Sequence, residues 1–529
     1  MQPFIKTLAA ALAAGVLATG ALVLGPGPAD AVTQSTPGAA DVRARSTPGT
    51  TGGLPASPSA APARIDWKPC PDDSRAECGT LRLPIDWARP TGATFDMAVA
   101  RRKATDPDRR VGVLLVNPGG PGASGVRFTL DDAEARFSAG LRARFDIVGF
   151  DPRGVGASRP VRCSTELLRR APSAYPRDQA EFDRLAAYNR ALRDDCRRHS
   201  GPIVDHADTL AVVRDMEALR RSLGERRINY FGHSYGTLIG EQYAELYGDR
   251  IRAMALTANI DHSLNTREFL VSSARTAEDS FHEFVRWCER SPSCALHGRN
   301  VTEVWDGLLD RADRGEIRDP AHPERVLTAN GIAETVFKRF YGPDWSHVAS
   351  FVAELDGQRR RAPRPEAPSA TSRTNAVPAA EGLTEAEPFR AVFCQDWRFR
   401  PKDHREFARL TEAELRAAPH MRGSPRVHAA LAGCVGRPEE VNNPQHRLRI
   451  TEAPRILMLH SRHDPANPHA WAANVHRQTR KSTVLLTYEG AGHSVYGRSD
   501  CTRDAVDDYL VELTVPADGS RCAAADPIS

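Results

Sequence analysis

A serine stands between two glycines in the segment Gly232-His233-Ser234-Tyr235-Gly236. Residues 228–231 before it are apolar and aromatic, as in a buried parallel strand, and residues 238–247 after it follow helical spacing. In such a strand-turn-helix the glycines permit a sharp turn and leave the serine hydroxyl exposed at its tip. The segment therefore predicts that Ser234 is a nucleophile, and a chance occurrence of Gly-x-Ser-x-Gly is the alternative.

A serine hydroxyl is a poor nucleophile at neutral pH. It needs a histidine that takes its proton and a carboxylate that orients the histidine, and here the acid should precede the histidine in the chain. Asp464 follows the predicted strand 456–459, and His493 follows the predicted strand 482–488. Both would lie at the carboxyl edge of the sheet, so we predict Asp464 as the acid and His493 as the base. An ordinary loop residue or helix cap is the alternative for each.

Other histidines near these positions compete with His493 for the role of base. His233 occupies the variable position beside the serine and cannot easily turn onto its neighbour's hydroxyl. His460 and His463 both precede the predicted acid. Chain order therefore favours His493.

A glycine-rich turn follows the continuous apolar run at residues 111–116, which is typical of a central strand. Residues 117–125 read Asn-Pro-Gly-Gly-Pro-Gly-Ala-Ser-Gly, and they match neither of the glycine patterns that bind phosphate. We interpret the turn as the source of a second backbone N–H for an oxyanion hole, because glycines let the backbone approach a substrate. A plain turn is the alternative.

The composition is that of a large globular protein with 529 residues, 41% of them hydrophobic. This length allows one big domain with an insertion or two closely packed domains. The formal net charge of +4, from 71 basic and 67 acidic residues, comes without a strongly basic block. We therefore expect no nucleic-acid partner.

The N-terminus has the pattern of a secretory signal at residues 1–31. Lys6 precedes an apolar run at residues 8–24, and Ala29-Asp30-Ala31 matches a cleavage site. An uncleaved membrane anchor is the alternative, but glycines and prolines at residues 25–28 favour cleavage. We predict export after cleavage near Ala31, without stable membrane association. Residues 32–63 are rich in Ser, Thr, Pro, Gly and Ala and are predicted to be a disordered linker.

Ten cysteines in an exported chain favour disulfides, because an oxidising compartment lets them persist. Their spacing lacks the paired C-x-x-C of a zinc site, so we predict no metal. Sequence alone does not fix the connectivity. Pairing between neighbours is a reasonable interpretation, and it gives Cys70 with Cys78, Cys163 with Cys196, Cys288 with Cys294, Cys394 with Cys434, and Cys501 with Cys522.

The alternation of strand and helix patterns predicts an α/β fold with a mostly parallel central sheet flanked by helices. We assign residues 64–260 to the first part of this core and residues 454–529 to its C-terminal part. Between them, residues 261–453 lose the alternation and form a mainly helical cap insertion, which contains a low-complexity stretch at residues 361–388.

Over about residues 65–522 the chain resembles the secreted tripeptidyl aminopeptidases of actinomycetes, relatives of the proline iminopeptidases. The likeness rests on residues 117–122 with Ser124-Gly125, residues 151–158 (Asp-Pro-Arg-Gly-Val-Gly-Ala-Ser), Gly232-x-Ser234-Tyr235-Gly236-Thr237, Asp464-Pro465, Gly492-His493 with Tyr496-Gly497, and the tail at residues 516–522.

The resemblance implies an α/β-hydrolase with a helical cap that removes short units from peptide N-termini without cofactor or metal. By motif it assigns the triad to Ser234, Asp464 and His493, and the oxyanion hole to the N–H groups of Gly120 and Tyr235. The chain departs from the family pattern at His233 and at residues 257–261, where the family usually has an Asp-Gly pair after the strand.

An aminopeptidase must recognise an ammonium group, which in a desolvated pocket requires a carboxylate. Asp396, beside Cys394 and Trp397 in the predicted cap, is the first candidate, and an ordinary solvated aspartate is the alternative. Function hypotheses from other classes are an esterase or secondary-metabolite hydrolase with the same triad, acting on another small acyl substrate, and a non-catalytic binding protein.

Overall fold

The computed structural model describes residues 64–358, 383–437 and 440–525. The predicted signal at 1–31, the predicted linker at 32–63 and most of the low-complexity stretch lie outside these residues.

The apolar runs noted in the sequence form strands, and the central ones are buried along their whole length because helices cover both faces of the sheet. The strands are β1 Lys68–Pro69, β2 Glu77–Pro84, β3 Thr94–Arg102, β4 Gly112–Asn117, β5 Phe145–Phe150, β6 Arg162–Ser164, β7 Ile228–His233, β8 Ile251–Thr257, β9 Thr384–Ala386, β10 Ile456–His463, β11 Thr483–Ala491 and β12 Arg521–Cys522.

Ten of the described strands form one sheet in the order β1-β2-β3-β5-β4-β7-β8-β10-β11-β12. The strands β1, β2 and β3 pair antiparallel at one edge, and from β5 onward all pairs are parallel. The chain leaves β4 toward β5 on one side and returns through β7 on the other. This reversal of strand order opens a crevice at the carboxyl ends of β4 and β7.

Helices flank the sheet and fill the segment between β8 and β10. They are α1 Gly125–Arg127, α2 Ala133–Arg136, α3 Ala139–Arg144, α4 Thr165–Arg169, α5 Gln179–Ser200, α6 Thr209–Ser222, α7 Tyr235–Tyr247, α8 Thr266–Arg290, α9 Val301–Asp313, α10 Ala329–Phe340, α11 Trp345–Gly357, α12 Pro388–Asp396, α13 His404–Ala417, α14 Pro425–Cys434, α15 His469–Gln478 and α16 Asp500–Glu512.

The predicted fold class is confirmed: the sheet is large, mostly parallel and flanked by helices. Five of the described strands, β1, β3, β6, β9 and β12, were not predicted from the sequence. β3 pairs antiparallel with β2 and β5, and β12 extends the sheet beyond β11 through two residues of the C-terminal tail. A two-residue strand has no periodicity that a sequence can show, because its conformation comes from the neighbour that it pairs with.

The helices between β8 and β10 divide between two apolar clusters. Side chains of α9, α10 and α11 pack with the second half of α8 in a cluster of their own, which contains Trp305 and Phe337. Side chains of α12 and α14, among them Phe393 and Leu431, instead join the main core cluster with α5, α6 and α7. The helices α12 and α14 therefore share one packed interior with α7, the helix that begins directly after Ser234.

All five predicted cysteine pairs are disulfides in the structure, and the part that it describes contains no free cysteine. The pair Cys394–Cys434 joins α12 to the end of α14, and Cys501–Cys522 joins α16 to β12. Among the described helices, none combines the length and the apolar character that crossing a bilayer requires.

Candidate active site

Ser234 lies in a strained turn between β7 and α7. Its backbone has φ 55° and ψ −123°, a region that a residue with a side chain rarely adopts. The Ser234 amide donates a hydrogen bond to the carbonyl of Thr257 at 2.9 Å, which ties the turn to the neighbouring strand. On the other side, a methyl group added to Gly119 would lie 2.4 Å from the carbonyl oxygen of His233. Only glycine allows the loop after β4 to pack this closely against the turn.

Asp464 and His493 form a buried pair at the ends of β10 and β11. The Nδ1 atom of His493 lies 2.9 Å from each carboxylate oxygen of Asp464. Asp464 is fully buried, and its Oδ1 also accepts hydrogen bonds from the amides of Ala466 at 2.8 Å and Asn467 at 3.0 Å. Because Nδ1 faces the carboxylate, the opposite nitrogen, Nε2, is the one that can exchange a proton with a substrate or nucleophile.

The imidazole of His493 is also held by residues outside the strand ends. The backbone amide of His493 donates to the carbonyl of Tyr341 at 2.9 Å. The Tyr341 ring meets the imidazole of His493 edge-on at a centroid distance of 4.8 Å. The ring of His233 lies 4.7 Å from the same imidazole, measured between ring centroids. Burial first and the neighbouring His493 second keep the pKa of His233 well below its usual value, so His233 stays neutral beside the base.

The two departures from the family pattern contact each other in the structure. The Nδ1 atom of His233 lies 3.0 Å from the hydroxyl oxygen of Thr257, the residue at which the 257–261 departure begins. The hydrogen bond fixes the orientation of His233 and turns its ring toward His493. The departures therefore form one local arrangement that supports the histidine.

A cavity that is open to solvent on one side has Ser234 in its wall. Its wall combines the turn, the glycine-rich loop, and side chains from the helices between β8 and β10. The lining residues are Gly120, Pro121, Ser234, Tyr235, Ile260, Phe269, Phe337, Tyr341, Phe389, Phe393, Trp397, Ser424, Arg426, Val427, Ala430, Ala466, Asn467 and Trp471.

The structure brings together the residues that the sequence assigned to an oxyanion hole. Gly120 and Tyr235 line the same cavity as Ser234, and Tyr235 is the first residue of α7. The first amides of a helix have no partner within the helix and carry its positive dipole end. The amide of Tyr235 therefore lies where it can stabilise a negative oxygen near Ser234.

The expectation that Asp396 offers its carboxylate to a substrate ammonium group is not met by its position. Asp396 is fully buried and does not line the cavity. Its carboxylate accepts hydrogen bonds from the amide and hydroxyl of Thr209 at 2.9 and 2.6 Å, the hydroxyl of Tyr235 at 2.6 Å, and the side-chain amide of Asn443 at 2.8 Å. A carboxylate engaged by these donors links helices to one another, and sequence gives no sign of such distant partners.

Burial predicts a pH-dependent contribution of Asp396 to stability. Burial first and the carboxylate of Asp208 second raise its pKa to about 7, although Thr209 and Tyr235 oppose the shift. In the unfolded chain an aspartate has a pKa of about 3.9. The stability contributed by this proton is therefore fully present below about pH 4 and is lost as pH rises through about 7.

We expect the free energy of unfolding of the native protein to fall relative to that of Asp396→Asn between about pH 4 and 7, and to run parallel to it at higher pH. Denaturant unfolding of both proteins across this range measures the difference. Curves that stay parallel from pH 4 to 7 would contradict the raised pKa.

One group of side chains in the described residues has distances that could suit a metal ion: Asp279, Glu283 and His463, whose ligand atoms lie within 4.8 Å of one another. Asp279 contacts the Nδ1 atom of His463 at 2.7 Å, while Glu283 approaches the Nε2 atom at 3.3 Å. A metal ion would bind one ring nitrogen together with the carboxylates. Carboxylates at opposite nitrogens instead fit an ion pair with a protonated ring, and the ion pair with Asp279 raises the pKa of His463 against the effect of burial.

Sequence reasoning missed two site residues: Tyr341, which directly follows α10, and Arg426 in α14. A guanidinium nitrogen of Arg426 donates to the carbonyl of Gly120 at 2.8 Å, and another donates to the Tyr341 hydroxyl at 3.0 Å. Neither residue belongs to a motif, and their role depends on how the helices fold over the sheet.

Comparisons with known proteins support a relationship over most of the chain. A family model described as TAP-like protein matches residues 420–522, a segment that contains Asp464 and His493. The tripeptidyl aminopeptidase of Streptomyces lividans is 28% identical over 528 residues, which cover 96% of both chains. Serine protease Hip1 of Mycobacterium tuberculosis is 29% identical over 488 residues, covering 87% of this chain and 91% of its own.

Carboxylesterase B of Mycobacterium tuberculosis is 30% identical over 492 residues, which cover 89% of this chain and 92% of the relative. Among solved structures, an alpha/beta hydrolase from a deep-sea metagenome library matches with a TM-score of 0.35 and 12% identity, covering 81% of this chain and 98% of that one.

Proposed function

Because the chain belongs to the family of α/β-hydrolases that includes these tripeptidyl aminopeptidases, serine protease Hip1 and carboxylesterase B, we propose that it is a serine aminopeptidase. It would release short units, of the tripeptidyl type, from the N-termini of peptides. Ser234, His493 and Asp464 would act as nucleophile, base and acid. The observation that carries this proposal is the strained Ser234 turn on a cavity wall, whose neighbouring His233 ring lies 4.7 Å from the histidine of a buried carboxylate-histidine pair.

The reaction proceeds through an acyl-enzyme. His493 takes the proton of the Ser234 hydroxyl through Nε2 as the oxygen attacks the scissile carbonyl, and Asp464 stabilises the resulting imidazolium. The N–H groups of Gly120 and Tyr235 bind the negative oxygen of the tetrahedral intermediate. His493 then gives its proton to the leaving amine. In the second half of the reaction His493 takes a proton from a water molecule as the water oxygen attacks the acyl-enzyme carbonyl, and it returns that proton to the Ser234 oxygen as the acid product leaves.

The cavity selects the acyl part of the substrate. Its wall is mainly apolar and rich in aromatic residues, with Phe269, Phe389 and Trp471 among them, and such surfaces gain free energy by burying apolar groups. We therefore expect peptides with apolar residues next to the scissile bond to be the better substrates. The predicted signal at residues 1–31 and the disulfides support a secreted enzyme that meets peptides outside the cell.

An esterase is the second candidate, and a specific observation favours it. Among the described residues that line the cavity there is no carboxylate, and Arg426 is the charged side chain on the wall. A free N-terminal ammonium group in this cavity would have no acidic partner there. An ester with an uncharged acyl group has no such need.

An assay of the purified protein separates the candidates. It compares tripeptidyl chromogenic amides with a free N-terminus, the same amides after N-acetylation, and short-chain esters, each for kcat/KM. The proposal predicts that acetylation lowers kcat/KM by on the order of 10-fold or more, because the enzyme recognises the free amine. Equal rates for free and acetylated amides would contradict aminopeptidase recognition, and turnover of esters alone would support the esterase.

A further inference from the structure

We propose that α12 and α14 hold the oxyanion hole in place through two side chains, Asp396 and Arg426, which act as positioning residues. This inference rests on the proposed function, because it assumes that Gly120 and Tyr235 supply the oxyanion donors. Asp396 would act through the side chain of Tyr235, and Arg426 through the carbonyl of Gly120.

Asp396, which does not line the cavity, anchors the hydroxyl group of Tyr235. The Tyr235 hydroxyl donates to Asp396 at 2.6 Å, and the same carboxylate binds the first amide of α6 at Thr209 at 2.9 Å. Above the pKa of about 7 that burial gives Asp396, this acceptor is charged, and hydrogen bonds to a charged acceptor are short and about twice as strong as neutral ones. Tyr235 is therefore fixed at its hydroxyl end, which limits the freedom of the backbone amide at its other end.

The backbone of Asp396 is fixed as well. Its carbonyl accepts a hydrogen bond from the Nε2 atom of His262 at 2.5 Å, and the His262 ring packs edge-on against Trp397 at 4.7 Å. The side-chain amide of Asn443 completes the contacts of the carboxylate. Groups this fully engaged cannot follow Tyr235 if it moves, so they act as a fixed support.

Arg426 restrains the other donor. Its guanidinium group bridges the Gly120 carbonyl and the Tyr341 hydroxyl, and it lies 5.8 Å from the centre of the Phe389 ring. The planar fork of an arginine can hold two acceptors at once, which a lysine ammonium does only with more loss of freedom. Tyr341 in turn contacts His493, so Arg426 links the loop to the histidine.

The two positioning residues belong to one rigid unit. The disulfide Cys394–Cys434 joins α12, near Asp396, to the end of α14, whose first turn holds Arg426. Both helices contribute side chains to the main core cluster. Oxyanion donors stabilise the transition state only if they are already in place when charge develops, and this unit supplies that order.

The test compares three variants with matched controls. Tyr235→Phe removes the hydroxyl that Asp396 binds and keeps the ring and the backbone amide. Asp396→Asn removes the charge of the acceptor, and Arg426→Gln removes the guanidinium group. The controls are Asp403→Asn, which removes the charge of a capping side chain at the start of α13 and keeps its acceptor oxygen, and Arg416→Gln, which loses an exposed ion pair in the same helix.

The readouts are kcat and KM on a chromogenic tripeptidyl amide, and the inhibition constant of a peptidyl trifluoromethyl ketone, which forms a tetrahedral oxyanion on the serine. We expect kcat of Asp396→Asn to fall on the order of 10²-fold, and that of Arg426→Gln about 10-fold, with KM changing by less than about 3-fold. Ketone affinity should weaken in the same order. The controls should keep the native kcat.

The fold-losses in kcat caused by Asp396→Asn and by Tyr235→Phe should not multiply in the double variant, because both substitutions break the same hydrogen bond. The inference would be overturned if the two losses in kcat multiplied in the double variant. It would also be overturned if the single variants raised KM while kcat and ketone affinity stayed native. If Asp396→Asn fails to fold, Tyr235→Phe and Arg426→Gln still test the inference. Native kcat and native ketone affinity in both of these variants would overturn it. Labelling of the native protein with a fluorophosphonate tests the proposed function separately from the positioning roles. If Ser234 were not labelled, the proposed function and this inference would both be overturned.

Discussion

Replacing Ser234 by alanine is expected to abolish turnover, with kcat falling on the order of 10⁶-fold. We expect no other group to form the acyl-enzyme, because Ser234 is the cavity-lining serine that a strained turn holds at the start of a helix. The protein should remain folded, since the change removes one oxygen from a half-buried side chain and relieves no packing. Hydrolysis of a chromogenic tripeptidyl amide and circular dichroism measure the two effects.

The control for this experiment is Ser350→Ala, a serine on the exposed side of α11. It should retain native turnover. If Ser234→Ala kept more than about one hundredth of the native kcat, another residue would be the nucleophile and the assignment of the triad would be wrong.

Replacing Asp464 by asparagine is expected to lower kcat on the order of 10⁴-fold, as the same change does in another serine hydrolase. The carboxylate accepts from His493 Nδ1 and from two backbone amides at the same time. An asparagine can present its NH₂ group to the histidine and so favour the wrong imidazole tautomer. The rate of turnover and the rate of fluorophosphonate labelling should both fall, because each needs the base.

His463→Gln is the matched control, because His463 is adjacent in sequence and lies in a separate ion pair with Asp279. Its kcat should stay within about 10-fold of the native value, far above that of Asp464→Asn. Similar losses in the two variants would indicate that the end of β10, rather than the carboxylate, limits the reaction.

The sequence was sufficient for those parts of the protein that local patterns determine. The apolar run at residues 111–116 overlaps β4 and the run at residues 228–231 lies in β7, and both strands are almost entirely buried, as expected of central strands that are covered on both faces. The disulfide pairs were predicted from sequence proximity, and the structure contains the same pairs. Asp464 and His493 could be suggested because parallel strands deliver their ends to one edge.

The roles of Asp396, Tyr341 and Arg426 could not be read in this way. Each depends on contacts between segments that are far apart in sequence, such as the contact of Asp396 with Tyr235 across 161 positions. A carboxylate in a helical segment looks the same in sequence whether it faces a substrate or a neighbouring helix. The burial of Asp396 at the end of α12 results from its contacts with Thr209 at the start of α6 and Tyr235 at the start of α7.

The central claim, that Ser234 forms a covalent intermediate through His493 and Asp464, is tested most directly by peptide mapping after reaction with a peptidyl phosphonate. We expect one phosphonyl group per molecule, carried by Ser234. The rate of labelling in His493→Gln and in Asp464→Asn should be lower than the native rate by on the order of 10²-fold or more. Modification of a residue other than Ser234, or native labelling rates in both variants, would contradict it.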